Sequence, residues 1–248
     1  MATRTAGGPS GPLPEDVQAS AVPRLVPGLV DRPRLFALLD RGAMGRATVL
    51  SAPAGSGKTM LLASWLRTAA LPGPAPWVAV ERDEQDPARF WRAVLEALRR
   101  SGAIAADDPL ATLAPAPGDA QDEFLGHLLD GLGRLAQTVV LILDDLHHLR
   151  TEAGLRGIER LLERMPPELR LILASRHELK LGLHRLRLAG ELVEIRADDL
   201  QFTAEEAAAL IAGAGVDARR ARAQRRRGAR AGAGTAGALA PVTFIRIV

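Results

Sequence analysis

A run of small residues between two apolar segments constrains the fold of this chain more than any other feature. Residues 47–52 read ATVLSA, a short β-rich run, and residues 58–70 read KTMLLASWLRTAA, a helical pattern. Between them, Gly55 and Gly57 can adopt backbone conformations that other residues avoid. A strand, a glycine-rich turn and a helix in this order predict a loop whose backbone N–H groups point toward an anion, with further N–H groups at the amino end of the helix.

The same loop carries the side chains that a bound phosphate chain would need. Lys58 can reach the β- and γ-phosphates of a nucleotide, and the Thr59 hydroxyl can ligate magnesium. The segment departs from the pattern G-x-x-x-x-G-K-[ST] at one position, where Ala52 replaces the first glycine. An ordinary turn with a chance lysine is the alternative interpretation. The predicted phosphate-binding residues are consecutive: Ala52, Pro53, Ala54, Gly55, Ser56, Gly57, Lys58 and Thr59.

Two adjacent acids form a second candidate site. They follow the apolar run 139–143, whose continuous hydrophobicity is typical of a parallel strand buried on both faces. Ligands bind at the carboxyl ends of such strands. Asp144 would hold magnesium through water, and Asp145 could orient or deprotonate an attacking water. A helix cap or turn is the alternative for this pair alone, but with the upstream loop its order and spacing match the Walker A and Walker B motifs of P-loop nucleotide-binding proteins.

Three further side chains are candidates near these motifs. Arg176 ends the next buried segment, LRLILASR, where a cation could sense the γ-phosphate or stabilise charge in the transition state. A surface arginine at a strand end is the alternative. His147 and His148 follow the acidic pair, and we expect them to be local hydrogen-bonding groups rather than metal ligands.

Strand and helix patterns alternate along most of the chain. This alternation predicts an α/β fold with helices on both faces of a central, mostly parallel sheet. Together with the two motifs, it predicts a P-loop NTPase three-layer sandwich. Helix boundaries are indicated by Asp86 as an N-cap before Pro87, by Asp31 as a possible N-cap of the first helix, and by Thr203 with Glu206 as a capping box.

Composition divides the chain into three parts. Residues 1–23 lack periodicity and are predicted to be a disordered leader, and residues 24–217 form the predicted P-loop NTPase domain. Residues 218–248 hold eight of the 32 Lys and Arg and no acid. Residues 1–217 therefore carry 24 basic against 29 acidic side chains, a net charge of −5. The basic character of the chain belongs to the tail alone.

The tail leaves two explanations open. Of the residues 218–240, 20 are Ala, Arg or Gly, a composition that predicts disorder because it cannot form a packed core. Such a segment is typical of an out-of-frame or truncated end in a GC-rich gene. The alternative is a genuine basic tail that contacts nucleic-acid phosphates. Because no aromatic residue precedes Phe244 in the tail, direct sequence-specific DNA binding is not expected.

Several classes of protein are excluded by composition. The chain has no cysteine, so it has neither disulfides nor thiolate sites. It also lacks a run of eighteen apolar residues and a secretory signal, so we expect a cytoplasmic protein without membrane contact.

Six separated segments together resemble a known family. They are similar to the N-terminal ATPase module of large LuxR-type transcription activators of the maltose-regulator kind, which belong to the STAND class of P-loop NTPases. The resemblance covers about three-quarters of the chain, from Arg24 to Gly215. The segments are RPRLFALLDRG, SAPAGSGKTMLLASWL, DPARFWRAVLEALR, LILDDLHHL, PPELRLILASR and ELVEIRADDLQFTAEEAAALI.

The resemblance implies ATP and ADP as ligands with Mg²⁺. It assigns Lys58 and Thr59 to the first motif and the Asp144–Asp145 pair to the second, and it places Arg176 where the class has a sensor arginine. Arg32 could lie beside the nucleotide. The family works as a slow switch in which ATP favours a self-associating form and hydrolysis resets it.

We therefore expect an ATP-binding, slowly hydrolysing switch module of a LuxR-type regulator. Family members continue into a lid, a sensor and a helix-turn-helix DNA reader, so the chain is expected to be truncated before those parts. A stand-alone nucleotide-binding protein whose tail binds nucleic acid or a protein partner is one alternative, and an inert fragment is another.

Overall fold

The computed structural model describes residues 22–25, 28–82, 85–115 and 121–212. Most of the predicted leader and the whole basic tail lie outside these residues. The strands are β1 (Ala47–Ser51), β2 (Trp77–Ala79), β3 (Val139–Asp144), β4 (Leu169–Ser175) and β5 (Leu192–Arg196). The helices are α1 (Pro33–Met44), α2 (Lys58–Trp65), α3 (Pro87–Arg100), α4 (Gln121–Leu132), α5 (Glu152–Glu163), α6 (His184–Leu188) and α7, residues 204–212 of the part described.

The strands form one sheet in the order β2-β3-β4-β1-β5, and the ladders between them are parallel. The predicted α/β fold with a central parallel sheet is therefore confirmed. Strand β4 lies between β1 and β3, with Ser175 paired to Ser51 and Leu173 paired to Leu143. As a result, the residues that follow these three strands meet at one edge of the sheet.

Both faces of the sheet are covered by helices. Along β3, Val139, Leu141 and Leu143 belong to a core built with α3, α4 and α5, whereas Val140 and Ile142 belong to a core built with α1 and α2. Alternation of side chains along a strand sends successive residues to opposite faces. Each buried Val, Leu or Ile stabilises the fold by about 1.5–3 kcal/mol. This three-layer packing explains why β3 is apolar at every position before Asp144.

Of the three predicted helix caps, those of α3 and α7 agree with the structure and that of α1 does not. Asp86 caps α3, because its side chain accepts a hydrogen bond from the Ala88 N–H at 2.9 Å. For α1, the predicted N-cap Asp31 is wrong: the N-cap is Arg32, which makes no side-chain capping bond. Pro33 occupies the first helical position, where its fixed φ and missing N–H are tolerated, so the residue before it becomes the cap.

The helix after the glycine-rich loop is shorter than its sequence pattern predicts. It ends at Trp65 rather than continuing to residue 70. Trp65 is buried between the sheet and α1, and its Nε1–H donates to Asp40 Oδ1 at 2.7 Å. Helix α6 was not predicted, since five residues are too few for a periodic pattern. In the part of the chain that the structure describes, none of the helices has the length and apolar character needed to span a membrane.

Candidate functional site

The glycine-rich loop between β1 and α2 is held open by two glycines with positive φ. Gly55 has φ +79° and Gly57 has φ +84°, and Gly57 is the N-cap of α2. Residues with a Cβ rarely adopt this left-handed backbone, so the strain and not a lack of space makes both positions specific for glycine. The turn presents the amino end of α2 at the carboxyl edge of the sheet, as an anion-binding loop requires.

Lys58, the first residue of α2, folds back over the loop. Its Nζ donates to Ala52 O at 2.5 Å, to Pro53 O at 3.0 Å and to Ser56 Oγ at 3.2 Å, and the residue is only 6% exposed. Burial lowers the pKa of Lys58, although the charges of Asp144 and Asp145 oppose this effect. The ammonium is therefore held by neutral oxygens, for which phosphate oxygens are stronger competing acceptors.

Thr59 and Asp144 bring two oxygen ligands together across the edge of the sheet. Thr59 Oγ1 donates to Asp144 Oδ2 at 2.8 Å, and the Asp145 N–H donates to Asp144 Oδ1 at 2.8 Å. Burial raises the pKa of Asp144, which is 1% exposed, while these two hydrogen bonds act in the opposite direction. A hydroxyl beside a buried carboxylate fits Mg²⁺, which prefers oxygen ligands and would favour the ionised acid.

Asp145 differs from Asp144 in both backbone and exposure. Its φ of 54° places it in the left-handed region, where it is the sole non-glycine among the described residues. It is the N-cap of the short 3₁₀ turn Leu146–His148 but makes no side-chain capping bond. Its side chain is 38% exposed. A carboxylate that is open to solvent and lies beside the phosphate loop can reach a water molecule.

Arg176 lies one residue beyond β4, directly between the two motifs. The central position of β4 brings it to the same edge as Pro53 and Asp144, and its charge lowers the pKa of Lys58. Among the described residues, none makes a hydrogen bond or ion pair with its guanidinium. Arg176 also lines a cavity of about 510 Å³ beside the loop. Other residues of that cavity are Ala52, Pro53, Leu181, Arg187, Arg196 and Asp198.

Of the two histidines after the acidic pair, His147 does not make the local hydrogen bonds that the sequence predicts. Both ring nitrogens of His147 and Nδ1 of His148 are buried, and no described residue is their hydrogen-bond partner. The expectation that they are local hydrogen-bonding groups is therefore wrong for His147. Burial, reinforced by His148 and Arg176 and opposed by Asp145, lowers the pKa of His147 to about 4. His147 is thus neutral at pH 7.

Arg32, a residue that could lie beside the nucleotide, has a buried guanidinium that binds the segment following β5. Its Nε and Nη2 donate to Glu206 Oε2 at 3.1 and 2.9 Å, and its Nη1 donates to Leu200 O at 2.9 Å. Its guanidinium carbon is 4.5 Å from the centroid of the Phe202 ring. Its polar contacts within the described chain are therefore to the β5–α7 connection and α7. Sequence reasoning missed this contact because its partners are separated by 174 positions.

Comparison with known proteins agrees with this geometry. Residues 31–174 match the model of the AAA ATPase domain family. The chain is 31% identical over 214 residues to the serine/threonine-protein kinase PknK of Mycobacterium tuberculosis, covering 85% of this chain and 19% of that protein. It is 30% identical over 186 residues to the HTH-type transcriptional regulator MalT of Serratia proteamaculans, covering 72% of this chain and 19% of MalT.

A solved structure aligns with most of this chain. The signal transduction ATPase with a tetratricopeptide repeat sensor from Pyrococcus horikoshii aligns with 80% of this chain and 27% of its own, at a TM-score of 0.48 and 18% identity. The chain spans about a fifth of the length of the curated relatives it matches.

The family match covers more than half of the chain and includes the loop and Asp144. The match to MalT confirms the resemblance to the ATPase module of maltose-regulator-type activators. The chain therefore belongs to the AAA ATPase domain family and is an ATPase module related to MalT-like regulators.

Proposed function

We propose that residues 24–217 form an ATP-binding, slowly hydrolysing switch module of a LuxR-type transcription regulator. The observation that carries this proposal is the Lys58 loop lying beside the Thr59–Asp144 pair, with both at the carboxyl edge of a parallel sheet. The loop supplies backbone donors for phosphates, and Lys58 supplies a cation. The buried acid supplies a ligand for Mg²⁺.

The phosphate-binding step follows from the loop geometry. Loop N–H groups and the amino end of α2 would contact the β- and γ-phosphates, and Lys58 Nζ would exchange its bonds to Ala52 O and Pro53 O for phosphate oxygens. Thr59 and Asp144 would hold Mg²⁺, which when bound neutralises charge on the phosphates.

Hydrolysis would depend on two residues that make few contacts of their own. Asp145, exposed at the same edge, would orient or deprotonate the attacking water. Arg176, between the motifs, would contact the γ-phosphate and stabilise the charge that develops there. Coupling of nucleotide state to a change in domain arrangement would make the module a switch.

The two relatives support the proposal that the activity regulated by this module resides in other parts of the protein. One is a kinase and the other a transcription regulator, yet both match the chain over this region. An ATP-dependent change in conformation or self-association is the function that such different proteins would share. A transcription regulator of this kind would act in the cytoplasm.

Nucleotide binding is tested by calorimetric titration of the full chain with ATP and Mg²⁺. Replacement of Lys58 by alanine removes a charge-assisted contact worth about 1.5–3 kcal/mol, so ATP should bind about 10- to 100-fold more weakly. Arg134→Ala, an exposed site after α4, is the matched control and should bind as the parent does. Equal ATP affinity in the Lys58 and Arg134 variants would overturn the proposed binding site.

Hydrolysis is tested separately by single-turnover measurement with saturating ATP. Asp145→Asn should lower the rate about 10²- to 10⁴-fold while ATP affinity changes little, because general-base catalysis contributes on this scale. Arg176→Ala should also lower the rate. An Asp145→Asn chain that hydrolyses ATP at the parent rate would show that Asp145 is not the base.

A further inference from the structure

Beside the nucleotide site, Asp145, His147 and His148 bring three metal-ligating groups together. One oxygen or nitrogen atom from each lies within 4.8 Å of the other two. Asp145 Oδ1 is 3.7 Å from His147 Nδ1, and the ring centroids of His147 and His148 are 3.9 Å apart. The proposed ATPase function gives the two imidazoles no role.

Three of the four imidazole nitrogens of His147 and His148 are buried and unbonded in the described part of the chain. Both nitrogens of His147 and Nδ1 of His148 have no hydrogen-bond partner among the described residues, and the His147 side chain is only 7% exposed. Buried polar atoms are normally bonded, and an unsatisfied group destabilises a fold. A cation that accepts a lone pair from each ring would satisfy one nitrogen of each histidine.

The donor set selects the kind of cation. Two imidazole nitrogens and one carboxylate oxygen suit Zn²⁺ and similar transition-metal ions, whereas Mg²⁺ and Ca²⁺ prefer oxygen ligands alone. Zinc–nitrogen bonds of about 2.0–2.1 Å require ligand atoms closer than 4.8 Å, so the partly exposed Asp145 side chain would rotate inward when the ion binds. The fourth position would hold water or His177, whose ring centroid is 6.4 Å from that of His147.

We propose that Asp145, His147 and His148 form a binding site for a zinc-class divalent cation, separate from the magnesium position between Thr59 and Asp144. Asp145 would have two alternative roles, as a ligand when zinc is bound and as the base for ATP hydrolysis when it is not. An ion bound there would slow ATP hydrolysis without preventing ATP binding. This inhibitory consequence rests on the proposed function, whereas the binding site itself does not.

Binding is tested on the full chain without a histidine tag, with Co²⁺ as the probe. The chain contains no cysteine and five histidines, so visible absorption of bound Co²⁺ reports nitrogen and oxygen ligands only. Zn²⁺ should displace Co²⁺, and excess Mg²⁺ should not. His147→Gln and His148→Gln should each weaken Co²⁺ binding about 100-fold, at least as much as loss of a group that supports a ligand. His127→Gln, at an exposed site on α4, is the matched control.

Unchanged Co²⁺ affinity in His148→Gln, or an equal loss in His127→Gln, would overturn the site. Circular dichroism checks that each variant folds. If His147→Gln does not fold, the Co²⁺ affinities of His148→Gln and of Asp145→Asn, which changes a partly exposed side chain, test the site instead. Zn²⁺ should reduce single-turnover hydrolysis in the parent chain and have no effect on the hydrolysis rate of His148→Gln. Zinc binding that leaves parent hydrolysis unchanged would overturn the inhibition, and with it the role of Asp145 as base, but not the metal site.

Discussion

The Arg32–Glu206 pair and the Lys58–Asp144 region both bury charged groups, but they satisfy those charges differently. Arg32 and Glu206 contact each other directly, and Arg34 adds a second cation with Nε 3.2 Å from Glu206 Oε1. Burial alone would raise the pKa of Glu206, but the hydrogen bonds it accepts lower it below its usual value. Lys58 instead contacts neutral oxygens, and Asp144 contacts a hydroxyl and a backbone N–H.

The net pKa shifts of the two buried acids therefore have opposite signs, down for Glu206 and up for Asp144. Burial raises the pKa of Asp144 and lowers that of Lys58, so each group is pushed toward its neutral form. Opposed shifts of this kind cluster at functional sites, where unmet charge is available to a ligand. The charge of Glu206 is compensated inside the fold by Arg32 and Arg34, and these contacts join the start of α1 to α7. The contrast separates a site built for binding from a contact built for stability.

The largest expected effect comes from breaking the matched pair. Arg32→Ala should lower the free energy of unfolding by about 3 kcal/mol, because Glu206 would stay buried with only part of its charge compensated. Arg34→Ala, at a side chain that is 38% exposed, should lower it by about 1 kcal/mol. Urea unfolding at constant m-value measures both. Equal losses in the two variants would show that the buried arginine has no special role.

Acid should destabilise the nucleotide region through His147. Because its folded pKa is lowered to about 4 by burial, His148, Arg176 and His177, against the opposing charge of Asp145, the unfolded chain binds this proton more readily. The free energy of unfolding is therefore unaffected by His147 above pH 6.5. It falls as the pH is lowered from 6.5 through about 4, by up to about 3 kcal/mol in total.

His147→Gln should remove this part of the pH dependence, and urea unfolding between pH 4 and pH 7 on both chains isolates it. If the free energy of unfolding changed with pH in the same way in the parent and the variant, the lowered pKa of His147 would be contradicted.

A smaller effect is expected where α7 begins. Thr203 Oγ1 accepts from the Glu206 N–H at 3.2 Å, and Glu206 Oε2 accepts from the Thr203 N–H at 3.1 Å, which confirms the predicted capping box. Thr203→Ala should lower the free energy of unfolding by about 1 kcal/mol. Thr203→Ser keeps the hydroxyl and should retain most of that stability in the same urea measurement. Similar losses in the two variants would mean that the cap does not stabilise α7.

The smallest change, and the one of opposite sign, is expected at Lys58. Lys58→Met removes an ammonium whose charged form is disfavoured by burial, so the free energy of unfolding should stay the same or rise by less than about 1 kcal/mol. The variant should bind ATP poorly in the calorimetric titration. A clear loss of stability would show that Lys58, like Glu206, stabilises the fold.

Local features were predictable because their physical causes lie within a few residues. The strand before Gly55, the buried run before Asp144, the Asp86 cap and the Thr203 capping box all depend on neighbours in the sequence. The failures were also local in part: Asp31 was predicted to cap α1, but Pro33 makes the residue directly before it the cap.

The sequence by itself determined the phosphate loop, the acidic pair and the alternation of strands and helices that place this chain among P-loop ATPases. Only the tertiary structure decided that β4 lies between β1 and β3, which brings Arg176 between the two motifs. It also decided that Arg32 binds Glu206 and that the nitrogens of His147 have no hydrogen-bond partner among the residues described. The physical reason is that sequence patterns record the burial of a side chain, whereas the order of strands and the packing of distant segments select its neighbours.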